Sequence, residues 1–249
     1  MGKLAGIIKI EGTLDGLTFY KSQDGYMVRT KGGVSKKRIM TDPAFARTRE
    51  NLSEFALNAK SGKLIRDATG VLLNKAKDPK LSSRMLQLMN TIKNSDTVSA
   101  RGKRNVALGL ASEEGKQLLK GLDFNIKAPL ASVLQTLFTV ATDTGTIAIT
   151  DFIPQEQLST PNNATHVSFR SAFINLDFAT GIFDKSYSPI SNVLLDQNLI
   201  TVTLTPEQVP AGSGIQLYLL LIEFYQEVNG IQYSLKSGNY NALNLVEIL

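Results

Sequence analysis

One histidine, no cysteine and no tryptophan stand in a chain of 249 residues, so the side chains able to do chemistry are few. His166, in Ala164-Thr165-His166-Val167, is the single imidazole. A Ser-His-Asp hydrolase needs such a ring to take a proton from a serine held on a sharp turn, and no G-x-S-x-G elbow is present. One His and zero Cys exclude multi-histidine and thiolate metal centres, disulfides and a cysteine nucleophile. His166 therefore reads as an ordinary strand-edge residue. Asp143, Asp151, Asp177, Asp184 and Asp196 fall at expected turns, where Asp bonds the local backbone. Glu113-Glu114 sits in an expected first helical turn, where negative charge complements the helix dipole. Gly12, Gly16, Gly25, Gly32 and Gly33 match neither dinucleotide-binding nor P-loop spacing, and Gly62-Lys63 lacks the upstream glycine of a P-loop. The residue types call for no catalytic site, cofactor or metal, and the chain is read as a non-enzyme.

Cations carry more information. Lys31-Gly32-Gly33-Val34-Ser35-Lys36-Lys37-Arg38 places four of them in eight residues, ahead of Arg47 and Arg49, and Arg101, Lys103 and Arg104 follow later. Lys and Arg on a flexible loop near a helix start can neutralise phosphates and release counterions. These nine residues are a candidate basic interaction patch, for nucleic acid or for an acidic protein surface. The absence of a recognition-helix motif favours protein.

Positioning elements follow from charge and texture. Up to residue 125 there are 23 Lys+Arg against 12 Asp+Glu, a net of +11. Beyond it only Lys127, Arg170, Lys185 and Lys236 stand against 10 acids, a net of −6. Residues 41–121 read as helices: Asp42-Pro43 is a start signal, and Phe45, Leu52, Phe55, Ala56 and Ala59 recur at helical spacing. Ser61 is an expected cap for a second helix with Leu64, Ile65, Ala68 and Leu72. Asp78-Pro79 opens a third, with Leu81, Met85, Leu88, Met89 and Ile92 on one face, and Ser112 caps a short helix that Gly121 ends.

Residues from about 122 onward read as strands. Val167 to Asn175 alternates, Leu199–Leu204 is β-branched, and Ile215–Tyr225 joins Gln232–Leu235 through an Asn229-Gly230 hairpin turn. Leu243–Leu249 closes the series, and Val133–Ala141 and Thr146–Thr150 are weaker strands. Ile7–Ile10, Leu17–Lys21 and Tyr26–Thr30 form an N-terminal meander that cannot bury both its faces alone. The expected class is α+β: residues 1–121 a basic β-meander plus helices, and residues 122–249 an acidic antiparallel β-sandwich, Ig-like or jelly-roll-like.

The string G-I-I-K-I-E-G-T-L-D-G-L-T-F-Y-K, with D-G-Y-M-V-R-T-K-G-G-V-S, T-D-P-A-F-A-R-T-R-E-N and G-K-L-I-R after it, covers about the first quarter of the chain. It resembles a protein family from Bacteroidota with a Gly-rich N-terminal hairpin, an Arg-rich helix and a strand-rich C-terminal half. The family has no assigned activity, so the resemblance implies bacterial origin and a non-enzymatic product and carries no residue roles.

Ile215 to Phe224, the most apolar run, is about ten residues and interrupted by Gln216 and Glu223, too short for a span of about 20. Leu4 to Ile8 is too short for a secretory signal. The expected product is cytoplasmic at synthesis, with incorporation into a particle or non-classical export left open. Charge-complementary halves and an under-supported meander favour a structural subunit, expected as a homo-oligomer joined through its basic and acidic halves. Phage-tail-like, capsid-associated and surface-filament settings all fit. A nucleic-acid-associated protein is the alternative, and a ligand- or carbohydrate-binding sandwich with Tyr187, Tyr233 and Tyr240 is a further one.

Overall fold

A computed structural model describes residues 2–3, 6, 9–30, 32–235 and 238–249. The class is α+β, as the texture of the sequence implied. The chain forms two compact units, residues 1–50 and 51–249, so the expected division near 121 falls inside the second.

In the first unit, β1 (Gly2–Lys3), β2 (Gly12–Leu14), β3 (Leu17–Ser22) and β4 (Gly25–Thr30) make an antiparallel sheet in the order β1-β4-β3-β2. A two-residue turn, Gln23-Asp24, joins β3 to β4, with Ser22 paired to Gly25. Of the expected strand Ile7–Ile10, Ile7 and Ile8 lie outside the described residues, and Lys9 and Ile10 are not in a strand. The basic run Lys36–Arg38 is not a loop: it opens α1 (Lys36–Thr41), with the Ser35 hydroxyl accepting from the Arg38 amide. Asp42 then caps a 3-10 turn, Pro43–Phe45, by accepting from the Ala44 amide. None of the described residues in 2–50 is buried.

Helix α2 (Ala46–Thr69) begins in the first unit and continues in the second. Ser61, expected as a cap, is mid-helix, and its hydroxyl donates to the Leu57 carbonyl one turn back. α3 (Leu81–Ile92) buries Leu81, Met85, Met89 and Ile92, the stripe legible in the sequence. A Cβ at Gly62 would sit 2.9 Å from Met85 Cγ, so a glycine there lets α2 and α3 approach closely. Short helices α4 (Val106–Gly109) and α5 (Glu113–Leu119) complete this layer, α5 capped by Ser112 as expected. Of the strand expected over Val133–Ala141, Val133 ends the short helix α6 (Leu130–Val133) and only Thr139–Ala141 is strand.

Next come β5 (Thr139–Ala141), β6 (Thr146–Phe152), α7 (Pro154–Gln157), β7 (His166–Leu176), β8 (Phe183–Tyr187), β9 (Ser191–Leu194), β10 (Ile200–Leu204), β11 (Ile215–Val228), β12 (Ile231–Ser234) and β13 (Ala242–Ile248). β8 and β9 carry mixed polar residues and gave no strand signal in the sequence. The spine of the larger sheet is β7 against β11, from His166↔Tyr225 to Leu176↔Ile215. β12 and β13 pair along the far side of β11, and β8 and β9 along the far side of β7. Asn229 and Gly230 both have positive φ, as a type I′ turn requires.

The larger sheet is covered on both faces. Ala172, Ile174, Leu176, Leu217, Leu219 and Leu221 face the helices, in one core with Ile65, Leu72, Met85, Met89 and Ile92. Val167, Phe169, Phe173, Tyr218, Leu220, Ile222 and Phe224 face the small sheet β10-β6-β5, through Ile147, Ile149, Phe152, Val202 and Leu204. A strand buried on both faces reads as a near-continuous apolar run, which explains Leu217–Phe224. The two sheets are therefore two of the three layers of the second unit, with the helices as the third.

Candidate interaction surfaces

The nine cations of the expected patch have different surroundings. Lys31 lies outside the described residues. Lys36 and Lys37 are exposed on the first turn of α1. Arg38 pairs with Asp42 at 3.1 Å and lies over the Phe45 ring. The Ala44 amide and the Arg38 guanidinium hold the Asp42 carboxyl below its ordinary range. Arg47 pairs with Glu50 at 2.8 Å. Arg49 donates to the Ile39 and Asp42 carbonyls at 2.8 and 2.9 Å, closing the end of α1. The first unit adds a feature absent from the sequence reading: Lys9, outside the strands, and Lys21 lie over the Tyr26 ring and Arg29 over Tyr20.

In the second unit, Arg104 turns inward. Its guanidinium donates through Nε and Nη2 to Glu54 of α2, both at 2.9 Å, while Lys93 and the Gly102 amide donate to the same carboxylate. Glu54 is 2% exposed. Arg104, then Lys93 and the Gly102 amide, hold its pKa down to about 2 against the opposing cost of burial. The face of α2 that turns inward carries Glu54, Asn58, Gly62, Ile65, Ala68 and Thr69, whereas Leu52 and Phe55, expected in the core, are 51% and 56% exposed. Arg101 donates to Asn51 at 3.4 Å, and Lys103 is exposed.

Lys103 lines a groove of about 610 Å³ within the second unit. One wall is the α2 face Leu57, Lys60, Ser61, Lys63, Leu64 and Asp67, which follows helical spacing. The others are residues 103–108 and the turn 178–181. Sequence reading passed over Lys60 and Lys63, because their grouping with Lys103 arises only when the 103–108 segment folds beside α2.

His166 begins β7, its Nδ1 3.0 Å from Thr165 Oγ1 and its Nε2 3.7 Å from Glu227. Asp177 bonds the Ala179 and Thr180 amides and the Thr180 hydroxyl, the turn role expected of it, and these bonds lower its pKa. The tyrosines do not converge. Tyr187 lies under the Arg170 guanidinium and donates to the Thr69 carbonyl, Tyr233 is exposed on β12, and Tyr240 packs against the inter-sheet core. Among the described residues, no group of three or more acidic or imidazole side chains could hold a metal ion, and no helix is long and apolar enough to cross a membrane. Comparisons with protein-family models, curated proteins and solved structures found no match.

Proposed function

We propose that this chain is a non-enzymatic assembly subunit, repeated in a larger particle, tube or filament, and that its first unit is the part that engages a neighbouring copy. The supporting observation is a four-stranded sheet in a segment with no buried residue among those described. A small sheet gains stability by burying an apolar face, and this one presents Leu14, Leu17, Phe19, Tyr26 and Val28 on one face by register, with Lys21 and Thr30 at the strand ends of the same face. Charge supports the same reading. The first unit has 10 Lys+Arg against 5 Asp+Glu and so carries the whole net charge of +5, while the second has 17 of each. Because residues from 126 onward are net −6, a basic first unit on the strand-rich half of the next copy makes a heterologous contact, the type that closes rings or propagates filaments.

Light scattering on the purified full chain at low and high salt tests this reading. The expected result is a species well above 27.1 kDa that loses mass as salt screens the contact. A 27.1 kDa monomer at both salts and at high concentration contradicts it.

A second reading has one observation in its favour. The cation-over-tyrosine pairs of the first unit supply the aromatic interleaving that a single-stranded nucleic-acid platform uses. Binding to an unstructured oligonucleotide that weakens steeply with salt would favour it over assembly.

A further inference from the structure

We propose that the groove between α2, residues 103–108 and the turn 178–181 binds a small amphipathic anion: an apolar body bearing one carboxylate, sulfate or phosphate group. Its volume of about 610 Å³ lies in the range of small-molecule sites, which are mostly apolar with a few polar groups that fix orientation. Leu57, Leu64, Val106, Leu108 and Phe178 supply the apolar lining, and Leu57 and Leu108 remain 40% and 42% exposed. Apolar surface left open in a concavity gains most by meeting an apolar body.

The polar lining selects the head group. The Ser61 hydroxyl donates to the Leu57 carbonyl, the Asn105 side-chain carbonyl accepts from the Leu108 amide, and the Thr180 hydroxyl donates to Asp177. These neutral groups are engaged within the chain. The charged ones are Lys60, Lys63 and Lys103 against the single carboxylate of Asp67, which lies 3.7 Å from Lys63. Lys60 and Lys103 form no ion pair with a described residue, so the rim keeps two uncommitted ammonium groups. Their charge repels a cation and a basic peptide alike and complements an anion beside an apolar floor.

This proposal does not depend on the assembly reading. The probe is dodecanoate, titrated calorimetrically into the full chain below its micelle concentration, with dodecanol and butyrate as controls. The expected result is saturable uptake of one dodecanoate per chain, at least tenfold weaker for the alcohol, which lacks the charge, and for butyrate, which lacks the body. K60E/K103E reverses the rim charge, and Ala179→Trp narrows the mouth without changing charge. Each is expected to weaken uptake at least tenfold at an unchanged melting temperature, since all three positions are exposed. Equal uptake of dodecanol, uptake beyond one per chain, or wild-type uptake by either variant would overturn the proposal. Adsorption to phosphatidylglycerol vesicles without saturable uptake of monomeric dodecanoate would also overturn it, because the surface would then be a lipid-binding one.

Discussion

Glu54 stands where an apolar residue is the default. At 2% exposure it accepts from Lys93, Arg104 and the Gly102 amide, and these bonds bind the loop after α3 to α2. Removing one member of a buried ion cluster leaves the others uncompensated, which costs about 3–5 kcal/mol. Glu54→Ala is expected to lower the stability of the second unit by that amount in urea unfolding. The pH dependence has a definite sign. A carboxyl held at about 2 when folded and at 4.5 when free stabilises the fold fully above pH 4.5, and that contribution disappears as pH falls toward 2. The stability gap between wild type and Glu54→Gln is thus expected to narrow over that interval and to stay constant from pH 6 to 8. A gap that is unchanged down to pH 2 would mean that the carboxylate is not the source. The sequence concealed this cluster because Glu54 meets Lys93 and Arg104 across 39 and 50 residues, and local periodicity carries no information about such pairs.

At the scale of elements, strong local signals were legible. The stripe of α3, the Ser112 cap, the Asn229-Gly230 turn and the strands β7, β10, β11 and β13 all follow from spacing and turn chemistry. The apolar stripe read over Leu52, Phe55, Ala56 and Ala59 of α2 was misleading. Its apolar residues recur at the helical period, yet the inward face is set by Glu54, Asn58 and Gly62 in its first half and by Ile65 and Ala68 in its second. This orientation is directly testable. Ile65→Ala is expected to cost about 2–5 kcal/mol, as for a large-to-small change in a core, whereas Phe55→Ser at an exposed position is expected to stay within about 0.5 kcal/mol. Comparable losses for the two would restore the apolar stripe as the packing face. The groove was illegible for a related reason: Lys60 and Lys63 are helical neighbours, but Lys103 joins them only through the tertiary fold.

For the whole molecule, the decisive contrast is between a second unit with two cores sharing one sheet and a first unit with no buried described residue. The charge map divides the chain at residue 125, because residues 51–125 are also basic. In the fold those residues cover the larger sheet, and the net charge of the chain resides in residues 1–50. The central claim is that this first unit gains its core from a neighbouring copy. Amide hydrogen exchange of the full chain over a concentration series tests it most directly. The account predicts that Leu17–Thr30 exchanges rapidly at high dilution and becomes protected as concentration rises, while Val167–Leu176 and Leu217–Phe224 stay protected throughout. Protection of Leu17–Thr30 that is equal at every concentration and persists in a 27.1 kDa monomer would contradict it.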